Sequence, residues 1–266
     1  DRLLARLQTV APNRWIVKGA VALSFRLGDK ARPTKDLDLA FNDGEEAAIS
    51  DLRAAQDTDL GDFFKFRIER TDDLDEFLEG VAVRFRVRAE LAGRPFEVVP
   101  LDVGFADPGD LPPTRLNSPD FFTFAGIQPT ELLLLPLEQH VAEKVHASTR
   151  NYGGRHSSRV KDLIDLVLIS STSAFEAGRL RQAIERAFET RGAQIAPESF
   201  PPPPVNWVAS YMSLATASGL TPDLEIGHAL VAEFLDPVLA NMLSSTMQWD
   251  PANRAWEEPG DASSPG

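Results

Sequence analysis

The chain contains no cysteine in 266 residues, which excludes disulfide staples, thiolate nucleophiles and cysteine-ligated zinc. That absence fits a reducing compartment. Long apolar runs are missing too: the longest, Leu132 to Leu135, is far too short to cross a bilayer, and no secretory leader is evident. The expectation is a cytoplasmic protein without membrane attachment. Basic residues are scarce, 27 Lys and Arg against 40 Asp and Glu. The resulting net charge of −13 argues against a general nucleic-acid binder that neutralises phosphates over a broad surface. A local basic site stays open. The four histidines are scattered with no metal-ligand spacing, so His146 and His156 count as RNA contacts at most. The length suffices for one large domain or two modest ones.

Against this background, Trp15 to Phe41 concentrates chemistry. Trp15 to Val17 reads as a short buried strand, Lys18-Gly19-Ala20 as a tight turn and Val21 to Leu27 as a helix. Such a turn aims backbone N–H groups and the positive end of a helix at a triphosphate, and Lys18 adds charge. Asp36 to Phe41 then alternates with period two. Leu37, Leu39 and Phe41 face the core, while Asp36 and Asp38 share the opposite face about 7 Å apart along the strand. Two carboxylates that close repel unless a cation lies between them, and hard oxygen ligands suit the Mg²⁺ ions of nucleotidyl transfer. Either half alone is an ordinary turn glycine or surface Asp pair; their order and spacing favour nucleotide chemistry.

Further along, Arg2 to Val10 is an amphipathic helix assigned only packing, and Glu45 to Ala55 an exposed helix. Phe63 to Arg70, Val81 to Ala89 and Phe96 to Val103 read as strands. The second places Arg84, Arg86 and Arg88 on one face, either a solvated side or a wall gripping phosphates. Asp102 sits in a mostly apolar run and is either a site carboxylate or a strand-end turn residue. Residues 104–120 form an irregular hinge. Phe121 to Leu135 is an apolar link or last strand.

Helices follow. Leu137 to Ser148 carries Lys144 beside its apolar stripe, where a snorkelling lysine is the plain reading. Arg150 to Lys161, RNYGGRHSSRVK, is the most basic segment, with Arg150, Arg155, Arg159 and Lys161 and no acid. It is a solvated loop or a clamp for RNA phosphates. The helix from Arg159 to Ile169 carries Asp162 and Asp165, which can pair with Lys144, Arg159 or Lys161. Leu224 to Asp236 is expected to stop near Pro237, with a final helix around Val238 to Met247. Residues 250–266, small, polar and bearing Pro and Gly, read as a disordered tail.

These residues resemble the AbiEii/MenT toxins of type IV toxin–antitoxin systems, within the polymerase-β-like nucleotidyltransferase superfamily. The family's K-G-G turn looks like Lys18-Gly19-Ala20, with Ala20 replacing the second glycine. Its R-x-T-x-D-x-D segment looks like Arg32 to Asp38, its A-x-K like Ala142-Glu143-Lys144, and its R-x-K-D-x-x-D like Arg159 to Asp165. The resemblance implies a bilobed α+β fold: a polymerase-β-like mixed sheet with helices over residues 1–125, and a helical lobe over 126–249 carrying the last two motifs. It also implies a toxin that transfers nucleoside monophosphate from an NTP to the 3′ end of tRNA and so blocks translation. Asp36 and Asp38, with Asp102 as a third carboxylate, would hold two Mg²⁺ ions, with Mn²⁺ as a substitute. Lys18, Gly19, Ala20, Arg32, Thr34 and Lys161 would surround the nucleotide. Lys144 and Asp162 would be catalytic, with Asp162 a stronger choice than Asp165. Thr34 would be the residue phosphorylated by a partner antitoxin kinase. The alternatives are a protein or small-molecule acceptor, or a non-catalytic module that binds nucleotide or RNA.

Overall fold

The structure, a computed structural model, describes residues 1–71, 83–105, 111–149, 159–190 and 195–259. They fall into two compact units, one built on Asp1–Gly28 and most of residues 33–136, the other on Asp29–Arg32 and the chain from Leu137. The boundary thus falls at Pro136, eleven residues beyond the expected 125.

The first unit comprises α1 (Arg2–Val10), β1 (Trp15–Lys18), α2 (Gly19–Leu27), β2 (Leu37–Phe41), α3 (Glu45–Asp57), β3 (Phe64–Thr71), β4 (Val83–Leu91), β5 (Arg94–Gly104), β6 (Thr114–Asn117) and β7 (Glu131–Leu134). Its seven strands form one mixed sheet in the order β3-β4-β5-β2-β1-β7-β6. Pairings β2–β5 and β1–β7 are parallel and the rest antiparallel. The strand alternation read from the sequence becomes a buried face: Trp15, Val17, Leu37, Leu39, Phe41, Val83, Phe85, Leu101 and Val103 share one core with Leu3, Leu4 and Leu7 of α1 and Leu52 of α3. On the other face Ile16, Ala40, Leu133 and Leu135 form a small second cluster.

Helix α1 does more than pack. Arg6 and Arg2 turn inward onto Asp62, with Arg6 Nη2 2.6 Å from Oδ1 and Arg2 Nε 2.7 Å from Oδ2. The expected irregular connection over 104–120 contains an edge strand, β6, which the sequence reading missed. Its exposed side chains give no alternation to detect. Only Glu131–Leu134 of the apolar stretch from Phe121 is strand, and Phe121 and Phe124 are exposed.

The second unit contains α4 (Leu137–Ser148), α5 (Val160–Thr172), β8 (Phe175–Glu176), α6 (Ala177–Thr190), α7 (Val208–Ala217), α8 (Leu224–Leu239), β9 (Gln248–Asp250) and β10 (Ala255–Glu257). Helix α4 packs on α5 and α6, and α5 on α7 and α8. Two expectations need correction. Helix α8 continues through Pro237, which lies in its last turn, and no final helix follows over residues 243–247. The disordered tail is overturned over residues 250–257, because β9 and β10 form a hairpin against β8. Trp249 and Trp256 anchor it on Phe234, and their indole N–H groups donate to Ser170 O and Phe234 O at 2.7 and 3.0 Å. Among the described residues no helix is long and apolar enough to cross a membrane.

Candidate active site

In the first unit the register assembles a row of charges across four neighbouring strands. Lys18 on β1 lies opposite Asp38 on β2, Asp38 opposite Asp102 on β5, and Asp102 opposite Arg84 on β4. Residues paired across strands project to the same face, so all four side chains stand on the side away from the main core. Asp102 is therefore a neighbour of Asp38, and it is 4% exposed. A carboxylate that deep needs a cation or several donors. Arg84 supplies them: its Nε and Nη2 lie 2.6 and 2.7 Å from the two oxygens of Asp102. The hydrogen bond to Asp102 is the chief reason the Arg84 guanidinium is held above its ordinary pKa, and Asp36 and Asp38 add attraction.

Gly19 explains the turn. Its φ of +63° is costly for any residue with a side chain, and a Cβ there would lie 2.0 Å from Asp38 Oδ2. The glycine thus lets the backbone come against the carboxylate while opening α2. Ala20, in place of the family's second glycine, is already in the first turn of α2 and is buried. Since Gly19 carries the positive φ, alanine at the next position costs no strain. No side chain caps the start of α2. Its first N–H groups and helix dipole suit an anion.

Asp36 precedes β2, and its N–H donates to Thr34 Oγ1 at 3.3 Å. Nearby, an apolar cavity of about 390 Å³ has Thr34 and Asp36 on its wall beside Phe25, Phe66, Val87 and Phe122. That lining does not suit a triphosphate.

Asp36, Asp38 and Asp102 fit a divalent cation by donor type, three carboxylates of hard oxygen with Asp38 and Asp102 in register on neighbouring strands. Among the described residues no group of three or more His, Cys, Asp or Glu converges as a ready metal centre. Both oxygens of Asp102 are engaged by Arg84.

The second unit holds a separate buried charge cluster. Asp165 on α5 is fully buried and accepts Lys144 Nζ at 2.7 Å on Oδ2. Arg32 grips both of its oxygens, at 2.8 and 3.1 Å. Lys144 also donates to Asp162 at 3.0 Å, and Arg159 reaches the other Asp162 oxygen at 3.3 Å. Burial alone would depress the Lys144 pKa, but Asp165 and Asp162 raise it above its ordinary value. Burial would likewise raise the Asp162 pKa, and the charges of Lys144 and Arg159 instead lower it. Lys144 is therefore a fixed cation and not a proton acceptor.

Of the two carboxylates, Asp165 is the more deeply buried and joins Lys144 to Arg32, while the half-buried Asp162 joins Lys144 to Arg159. Lys161 is exposed on α5. His146 is buried edge-on against Phe188, which removes it as an RNA contact. Arg150, Arg155 and His156 lie outside the described residues.

A sheet that sets a glycine turn, a helix start and in-register carboxylates side by side defines a nucleotidyltransferase architecture. Residues 2–235 match the family described as nucleotidyl transferase AbiEii toxin, type IV TA system, and the chain belongs to that family. The fold is shared with MenT4, a nucleotidyltransferase toxin from Mycobacterium tuberculosis H37Rv, at a TM-score of 0.60 and 20% identity over 95% of this chain and 84% of that one. JHP933 from Helicobacter pylori is similar at a TM-score of 0.50 and 15% identity, over 91% and 90% of the two chains. No curated protein matches the sequence.

Proposed function

We propose that this member of the AbiEii family transfers a nucleoside monophosphate from an NTP to the 3′ end of tRNA, which blocks translation in the cytoplasm. The observation that carries the reading is the in-register row Lys18–Asp38–Asp102 beside the Gly19 turn. Asp36 and Asp38, with Asp102, are the residues that would hold two Mg²⁺ ions. Such ions, when bound, activate the attacking hydroxyl and neutralise the departing pyrophosphate. Lys18, Gly19 and the start of α2 bind and orient the triphosphate through charge and backbone N–H groups. Lys144, kept protonated by Asp165 and Asp162, contributes a fixed positive charge against charge developing on the phosphates. Asp162 orients it. In this reading Arg32 and Lys161 serve the nucleotide, and Arg150, Arg155 and Arg159 serve the RNA. On β3 and β4, Arg67 and Arg88 both reach Glu69 and the exposed Arg86 lies opposite it, so three guanidiniums gather at one carboxylate, which supports a nucleic-acid acceptor.

Thr34 is proposed as the site where an antitoxin kinase switches the enzyme off. A phosphate on that hydroxyl would remove the hydrogen it donates to Asp36 O and set about two negative charges beside the carboxylates. Mass spectrometry after coexpression with the antitoxin checks this; an unmodified Thr34 peptide from inactive protein counts against it.

The deciding experiment incubates purified protein with total tRNA, Mg²⁺ and each labelled NTP in turn, beside Asp36→Ala. Label on tRNA that is absent from the variant is expected. Acid-stable label on protein with none on tRNA would overturn the tRNA assignment in favour of a protein acceptor.

A further inference from the structure

The acidic face of the first unit already contains a cation of the chain's own. Asp102 is almost buried, stands in register with Asp38, and has both oxygens engaged by the guanidinium fork of Arg84 at 2.6 and 2.7 Å. Arg84 is itself only 27% exposed, so the pair is held inside the site and not on its rim. A carboxylate bound at both oxygens has little capacity left for a metal ion, and a fixed positive charge beside Asp38 repels an incoming divalent one.

We propose that Arg84 is a resident counter-cation that competes with divalent metal for Asp102. It neutralises the acidic face when metal is absent and releases at least one oxygen of Asp102 when metal binds. The released guanidinium then has a triphosphate as its natural partner, since the fork that fits a carboxylate also fits a phosphate. Metal and nucleotide affinities become linked through this one side chain: whatever draws Arg84 away from Asp102 tightens metal binding, and the reverse holds by reciprocity. This rests on the nucleotidyltransferase reading of the site. A purely structural Arg84, one that only orients Asp102, has the opposite consequence, because its loss would misplace the carboxylate and weaken metal binding.

The test is a Mn²⁺ titration of the full chain followed by electron paramagnetic resonance of the free ion, on the wild type, Arg84→Gln, Arg84→Lys and Asp38→Asn. Removing the competing charge in Arg84→Gln is expected to tighten Mn²⁺ binding about tenfold. Arg84→Lys keeps the charge without the fork and is expected to fall between the two. A non-hydrolysable NTP analogue is expected to tighten Mn²⁺ binding more in the wild type than in Arg84→Gln. Should Arg84→Gln lose its cooperative thermal transition, Arg84→Lys decides, with binding tighter than wild type supporting the proposal. Mn²⁺ binding that is unchanged or weaker in the folded Arg84 variants overturns it while leaving the metal site standing. No Mn²⁺ binding to any protein, wild type included, overturns the metal reading itself and this proposal with it.

Discussion

Lys144 and Asp165 form an ion pair at 2.7 Å with 9% and 1% of their side chains exposed, and Arg32 closes on the same carboxylate. Deleting one member of such a cluster leaves the others charged and desolvated. Asp165→Asn, which keeps the volume and removes the charge, is expected to cost about 3–5 kcal/mol, read from urea unfolding. Asp162→Asn, at a more exposed carboxylate, is expected to cost less while still lowering transferase activity.

Gly19→Ala tests the approach of the turn to Asp38. With φ at +63° and the new Cβ 2.0 Å from Asp38 Oδ2, the backbone cost is about 1–3 kcal/mol and the carboxylate must move. A fall in melting temperature together with weaker Mn²⁺ binding is expected. Ala20→Gly, inside α2, is expected to cost about 1 kcal/mol from helix propensity and to leave Mn²⁺ binding as it was.

Asp62 links stability to pH. Burial would raise its pKa, but hydrogen bonds from Arg6 and Arg2 and from the Phe64 N–H hold it well below the usual carboxylate range. A carboxylate depressed on folding contributes stability that is complete above its unfolded pKa, near 3.9, and that disappears as pH falls through the folded value. The melting temperature of the wild type should therefore exceed that of Asp62→Asn above about pH 5, with the gap narrowing progressively below about pH 4.

The C-terminal hairpin is expected to act as part of the helical unit. Trp249 is buried among Phe175, Phe234 and Trp256 and donates to Ser170 O. Trp249→Ala should destabilise the protein by about 3–5 kcal/mol, and removal of residues 248–266 by at least as much, both read from chemical unfolding.

How far the sequence carried the argument depended on whether a pattern was local. Period-two alternation in Leu37–Phe41 and Val83–Leu91 marked both strands and their buried faces, and Gly19 marked the turn. Asp102 was suspect because a charge in Val98–Val103 needed a reason, yet its partner Arg84 lies 18 residues earlier and was visible only as one of three alternating arginines. The buried ion cluster was harder still. Arg32 and Asp165 are 133 residues apart, and nothing in either segment announces the pairing. The tail reading failed because Gln248–Glu257 is polar overall, while two tryptophans do the packing.

The parallel pairing of β1 with β7 has a consequence for biosynthesis. Ile16 meets Leu133, so β1 waits for a partner translated more than a hundred residues later. At about 5–20 residues per second, the β1 edge stays open for several seconds to tens of seconds on the ribosome. The neighbouring β2, with Asp38, is parallel to β5 and waits in the same way for Leu101–Gly104. A truncated nascent chain that ends before β5 therefore lacks the Asp38–Asp102 row, so the candidate site is completed only after that strand emerges.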